Sequence, residues 1–235
     1  MTVEGCINTL FNQQSPIKAE KAMKKTLLIF VSLLIGSLTT INAQFKLGVT
    51  PVTGINFNIH SGSDLQESGN GFGVFLGAQA DMSFSENIGL VAGMVFYDNR
   101  SGSYSESGTD QGIQYNADAN VSLAYFQLEA LFKYKLPSKV YFVFGPVLGF
   151  NEESEVEVEY NVPQYNYTTK QKQTLKNTQT RFELKMGAGY EIPISGNLDI
   201  VPQLTFGYGL SNVIEDVKWK ILTFQAQVGV KFTVL

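Results

Sequence analysis

Cysteine, histidine and charge are all scarce in this chain. Cys6 and His60 are the single cysteine and the single histidine among 235 residues. One thiol cannot form a disulfide framework, and there is no His/Cys cluster that would suggest zinc. Charged residues are 16% of the chain, against about 25% in an ordinary soluble domain. After the N-terminal region no apolar run approaches the roughly 18 residues that would suggest a spanning helix. Ser61, Ser63 and Asp64 lie close to His60 in sequence, but catalytic triads are assembled in space; His60 is expected to be an exposed loop residue. Asp64 with Glu67, and Asp110 with Asp118, do not fit an ordered calcium loop and read as solvated loop charge. Gly187-Ala188-Gly189 has no helix after it, so it is no phosphate loop. No catalytic residue, cofactor or metal is expected.

The N-terminus carries targeting information. Met23-Lys24-Lys25 is followed by TLLIFVSLLIGSL and TTINAQ, a basic segment, an apolar core and a small residue, in the order of a secretory signal peptide. Cleavage is expected after Ala43. Residues 1–22 lie upstream of a complete signal and read as a misassigned start, residues 23–43 as the signal peptide, and residues 44–235 as the mature domain. Cys6 would then be lost. Removing residues 1–43 takes away four lysines and two glutamates, so the net charge falls from −4 to −6. That balance argues against nucleic acid as a partner.

What is present in quantity is alternation. Leu123 to Phe150 holds two apolar–polar runs joined at Pro137-Ser138-Lys139. Phe126, Leu128, Ala130, Phe132 and Tyr134 share one face, and Gln127, Glu129, Lys133 and Lys135 the other, the period of two that marks a strand. Each run has about 12–14 residues, whereas soluble strands average about 5–6 and a tilted membrane crossing takes about 9–11. Similar runs occupy residues 45–59, 71–85, 88–100, 180–194, 198–213 and 221–235. Eight strands result, with tight breaks near 86, 138 and 196 and longer excursions near 65, 110, 165 and 216. Residues 101–120 read as a long loop. Short turns at one end and long loops at the other are the pattern of an all-β, eight-stranded antiparallel up-and-down transmembrane β-barrel.

A soluble barrel also alternates, so the faces need a separate argument. Glycines cluster on the polar face at 71, 73, 77, 145, 149, 187, 189, 207 and 209, where the narrow interior of an eight-stranded barrel needs room. Aromatics fall in two bands on the apolar face: Phe45, Phe84, Tyr134, Phe142, Tyr190 and Phe232 toward the turns, and Phe57, Phe72, Phe96, Phe126, Phe150, Phe182 and Phe224 toward the loops. Those bands match interfacial girdles. Polar faces therefore point inward, enclosing Asp81, Glu129, Lys133, Lys135, Arg181, Glu183, Lys185, Glu191, Asp199 and Lys231. Buried charge demands partners, so Glu129, Glu183 and Glu191 are expected to meet Arg181, Lys185, Lys133 and Lys135 in a plugged lumen. In the third excursion Glu153, Glu155, Glu157 and Glu159 precede Lys170, Lys172 and Lys176. The strands should extend there as an acidic–basic hairpin, a possible surface-binding element. Pairing Glu159 with Lys170 and Glu157 with Lys172 changes the parity of the barrel register, which requires a bulge at the rim. Pro146 and Pro202 should each produce a bulge or a broken ladder.

The hairpin LAYFQLEALFKYKL (Leu123–Leu136) and VYFVFGPVLGF (Val140–Phe150), with Lys133-Tyr134-Lys135, Gly145-Pro146 and the Ala43-Gln44 junction, resembles the PorT-like small outer-membrane barrels of Bacteroidota. The resemblance implies an outer-membrane location, with outer-membrane lipid and the barrel insertion machinery as partners. One named member of that family belongs to a protein-secretion system. The chain departs from many such barrels at its end, which is Leu235 rather than an aromatic. The expected function is that of a non-enzymatic outer-membrane protein, structural or surface-binding through its external loops and an unidentified extracellular or periplasmic protein. The alternative is a component of a secretion or transport assembly. A narrow pore and a rim-site enzyme come behind these.

Overall fold

The computed structural model describes residues 46–65, 68–110 and 112–234. The signal segment with Cys6 and Ala43, together with Phe45, Glu67 and Leu235, lies outside the described residues. The strands are β1 (Lys46–Ser61), β2 (Gly69–Ser83), β3 (Ile88–Asn99), β4 (Gly102–Asp110), β5 (Ile113–Lys135), β6 (Val140–Val162), β7 (Tyr167–Thr174), β8 (Arg181–Tyr190), β9 (Ile192–Ser195), β10 (Leu198–Gly209) and β11 (Lys220–Thr233).

Eight of them close a cylinder. Pairing runs β1–β2–β3–β5–β6–β8–β10–β11 and returns from β11 to β1, antiparallel throughout. Closure leaves no sheet edge along the wall. The three further strands are a short segment, β9, and two segments beyond the wall, β4 and β7. β9 is the tail of the expected run 180–194, separated from β8 at Glu191, just before Pro193.

Alternation sets the faces. Phe72 is 72% exposed, Leu204 67% and Ile55 56%, all on the outside, while Glu129, Lys133, Arg181, Glu183 and Lys185 are buried inside. An apolar exterior around a polar interior is stable only against hydrocarbon. On the loop side, Phe57 packs on Phe72, Phe126 on Phe150 and Phe206 on Phe224, with ring centroids 5.0, 6.3 and 5.2 Å apart. Gly93 shows what the inward glycines provide, since a Cβ there would stand 2.7 Å from Glu129 Oε2. Gly207 makes the same room for the Glu183 carboxylate.

Two bulges on the long wall strands reset the parity, and a third register shift, where Leu198 pairs with Ser195 but Asp199 with Pro193, lies at the turn end. On β3, Gly77 pairs with Val95 but Leu76 pairs with Tyr97, so Phe96 is extra and both Phe96 and Tyr97 face outward. On β6, Tyr125 pairs with Asn151 but Ala124 pairs with Glu153, leaving Glu152 extra. Glu153, Glu155, Glu157 and Glu159 consequently share the outer face, and Ser154 and Val158 turn inward.

Residues 101–120 are not a loop. β4 pairs with the first part of β5 from Gly102–Val121 to Asp110–Ile113. The segment is rich in Ser, Asn and Gly because this part of the sheet stands in water, and its inner face carries Tyr104, which packs on the buried cluster around Val121, together with the small residues Ala117 and Ala119. Nor do the prolines cause bulges. Pairing of β5 with β6 stops at Glu129–Val147 and resumes in unchanged register at Phe132–Phe144, skipping Pro146. The pairing of β10 with β8 and β9 likewise skips Pro202, and that of β1 with β11 skips Pro51. Each proline keeps its other ladder, so the missing donor breaks one side only.

Candidate functional site

The lumen is filled by ion pairs in three tiers. Nearest the turns, Glu191 receives Lys133 and Lys231, each at 2.7 Å, and Lys135. Lys133 also meets Asp81, and Lys231 reaches Asp199 at 3.5 Å and Asp81 at 3.8 Å. In the middle, Lys185 meets Glu129, to which Gln79 donates at 3.4 Å. Toward the loops, Arg181 meets Glu183, and Arg100 meets Asp98 at 2.5 Å. Asn56 donates to Asp98 at 2.8 Å, and Gln127 donates to it as well. Each tier is neutral by count: three lysines with three carboxylates, one with one, two arginines with two carboxylates. Between the tiers Val91, Leu131, Tyr141, Val143, Val147 and Val201 form an apolar cluster inside the barrel.

All seven residues assigned to a lumen network from the sequence, Glu129, Lys133, Lys135, Arg181, Glu183, Lys185 and Glu191, therefore sit together on the inner wall. Asp98 and Arg100 were missed. Both are fully buried, and the β3 bulge places them on the inner face against the parity of Val91 and Val95. An alternation that weakens just before Asp98 was the available signal.

The loop end is closed by an apolar cap. The connection between β10 and β11 folds inward, and Val213, Ile214, Val217 and Trp219 pack with Leu175, Val121, Leu123, Tyr125 and Ile221. The backbone N–H of Gln179 donates to Val213 O at 2.9 Å, which ties this connection to the one leading into β8. His60 is not the exposed loop residue expected. β1 continues through Ser61, and the even-numbered His60 points inward with no exposure. Its Nδ1 faces the Trp219 indole N–H at 3.2 Å and its Nε2 faces Ser101 O at 2.9 Å. Both ring nitrogens are engaged, and Ser61 and Asp64 do not join them. Among the described residues no three His, Cys, Asp or Glu side chains are grouped to hold a metal ion.

Above the cap, β4, β5, β6 and β7 form a sheet that extends past the aromatic band. β5 and β6 have 23 residues each, about twice what a crossing needs. Ala117, Val121 and Val158 are buried on its inner face. The outer face carries Ser105–Asp118 and Ser103–Asn120 hydrogen bonds of 2.6 and 2.7 Å. Glu159 lies opposite Lys170, and Glu157 opposite Lys172. Lys170 bonds Glu159 at 2.8 Å, whereas Lys172 bonds Glu155, on the diagonal, at 2.7 Å. These hydrogen-bonded carboxylates hold both ammonium groups above the ordinary lysine range. β7 pairs only with β6, and β4 pairs with β5 and touches β2 at the single pair Ser103–Asn70.

No curated protein matches this sequence. Among solved structures it is similar to the attachment invasion locus protein Ail of Yersinia pestis, at 11% identity over 79% of this chain and 98% of that one, with a TM-score of 0.39. It is also similar to the outer membrane protein AlkL, at 8% identity over 95% and 97% of the two chains and a TM-score of 0.46. A major outer membrane protein of Thermus thermophilus aligns at 15% identity over 81% and 100%, with a TM-score of 0.43. The family model described as outer membrane protein beta-barrel domain matches residues 12–215. The chain belongs to that outer-membrane β-barrel family.

Proposed function

We propose that this protein is a non-enzymatic outer-membrane barrel whose closed wall anchors the β4–β7 sheet outside the cell, where the sheet binds a protein partner. The observation that carries this reading is the contrast between the two ends of β5 and β6. Inside the membrane their inward side chains lie among ion-paired tiers that are neutral by count, around an apolar cluster and under an apolar cap. Beyond it, the same strands continue as a water-exposed sheet with two strand edges that no other segment of the described chain covers. An uncovered edge is a template for an added strand. The long-loop end is taken as extracellular because short turns face the periplasm in such barrels. Residues 23–43 then serve as the leader that directs export.

The hairpin residues Lys133-Tyr134-Lys135 and Gly145-Pro146 support placing the chain among the PorT-like barrels. That placement favours a second reading, a component of a secretion assembly, in which the periplasmic turns make the contacts. Site-specific photo-crosslinkers separate the two. Probes at Ser105 and Thr168 should yield a discrete adduct in intact cells, while probes at Lys139 and Asn197 should not. Adducts confined to the turn positions would replace the surface-binding reading with the assembly reading. Purified protein in a planar bilayer should be electrically silent; a steady open conductance would reject the plugged lumen.

A further inference from the structure

We propose that the rim beside β1, β10 and β11 binds a phosphate-bearing headgroup of an outer-leaflet lipid. A groove of about 520 Å³ lies there between the first and last loops, and Ser61, Ser63, Asn212, Lys218 and Lys220 are among its walls. Its lower wall is Tyr208, Leu210 and Leu222, outward residues continuous with the Phe206–Phe224 pair of the aromatic band. The groove therefore changes from apolar to cationic along the direction in which a lipid changes from chain to headgroup.

The cationic strand end lies in this sector. At the other strand ends of the rim the outward positions are Asn70, Asn99, Ser122, Glu152 and Thr180, neutral or acidic, and Lys176 stands alone on the connection into β8. Lys218 and Lys220 thus concentrate positive charge at one place on a chain whose mature net charge is −6. The Lys220 ammonium lies 6.0 Å from the Tyr208 ring centroid, which holds it at the interfacial level where lysine and tyrosine side chains settle. The walls are also joined. The Lys218 backbone N–H donates to Asp64 Oδ2 at 2.9 Å, and the Ser63 hydroxyl donates to Asp64 Oδ1 at 3.1 Å. The acid nearest the groove is thereby engaged in fastening one loop to the other. Glu215 and Asp216 precede Lys218 on its loop but do not line the groove. Two ammonium groups with hydroxyl and amide donors suit a phosphate oxygen cluster.

The full chain in detergent is incubated with diphosphorylated lipid A, with dephosphorylated lipid A, or with soluble glucosamine 1-phosphate, and adducts are read by native mass spectrometry. The unaltered chain should retain the phosphorylated lipid and not the other two. The pair Lys218→Gln and Lys220→Gln should retain roughly thirtyfold less, at about fivefold for each lysine near an anionic surface. Lys170→Gln with Lys172→Gln, the same change in charge elsewhere, should retain as much as the unaltered chain. Lys220→Arg, which keeps the charge, should also bind. Folding of each variant is checked by heat-modifiable gel mobility. Equal losses in the two double variants, or retention of the dephosphorylated lipid, would overturn the site. Glucosamine 1-phosphate binding as tightly as the lipid would reassign it to a soluble ligand.

Discussion

Glu191→Gln is the sharpest test of the lumen packing. Glu191 is 3% exposed and accepts three lysines. Two of them, Lys133 and Lys231, have side chains only 5% and 12% exposed, whereas Lys135 is 35% exposed and contributes less for that reason. After the substitution three ammonium groups face only Asp81 and Asp199, so one buried positive charge is uncompensated. Removing one member of a buried pair costs about 3–5 kcal/mol. Lys133 keeps Asp81 and Lys231 keeps Asp199, which places the expected loss near the lower end, about 3 kcal/mol. With a urea slope of about 1–3 kcal/mol/M the midpoint should fall by about 1–3 M. Trp219, the only tryptophan, lies at the opposite end of the barrel in the apolar cap, so its fluorescence reports global unfolding in lipid vesicles. Adding Lys133→Met restores equal numbers of charges in this tier, and the double variant should be more stable than the sum of the single losses. A single variant within about 0.5 kcal/mol of the unaltered chain, a shift typical of an uninvolved surface position, would refute the reasoning. So would strict additivity of the pair.

Lys170→Gln and Lys172→Gln, by contrast, should leave the unfolding midpoint where it is, because both ion pairs are exposed and water replaces them. Trp219→Ala empties the middle of the cap and removes the partner of His60 Nδ1; a loss of about 3–5 kcal/mol is expected, while planar-bilayer recordings stay silent because the ion-paired tiers below are untouched. The Asp64 carboxyl is held below the usual carboxylate range, first by the Lys218 backbone N–H and then by the Ser63 hydroxyl. A depressed value means that the loop-to-loop link is complete above the unfolded carboxyl value and is lost as pH falls through the lower folded one. The protection of the Lys218 amide, its exchange rate relative to that of an unstructured amide at the same pH, should therefore fall on acidification in that window, and Asp64→Asn should remove the pH dependence of that protection.

Much of the barrel could be read from parity alone. Residues in one strand share a face at every second position, so eight staves, two faces and the charged residues of the inner wall follow from counting. Parity fails where a residue is inserted. Phe96 shifts β3 by one, which moved Asp98 and Arg100 from the expected outer face to the lumen. The β4 hairpin was read as a loop because a strand in water, facing a small apolar patch, needs few apolar side chains on one side, here Tyr104, Ala117, Ala119 and Val121, and can carry Ser, Asn and Gly on the other. His60 and Trp219 meet across 159 residues of sequence, through the inward fold of a loop that has no periodicity. Local pattern contains nothing about such a contact.

The bulge at Glu152 decides what the external sheet presents. Below it, the odd-numbered residues of β6, such as Val143 and Val147, point into the lumen; above it, the odd-numbered glutamates point away from the cap. Deleting Glu152 would restore uninterrupted alternation and turn Glu153, Glu155, Glu157 and Glu159 toward Val121, Val217 and Trp219. Carboxylates cannot lie unpaired against that apolar surface without a cost of several kcal/mol each. The sheet has a less costly alternative, since β7 pairs with β6 alone and can separate from the rest. The expected result is selective unzipping: β7 and the outer part of β6 lose hydrogen-exchange protection and become open to protease, while the barrel keeps its heat-modifiable mobility. Protection of Tyr167–Thr174 at the unaltered level would show that the outer strands choose their register independently of the wall. In that case the glutamate row would owe its outward direction to its own pairing with Lys170 and Lys172, and not to the rim.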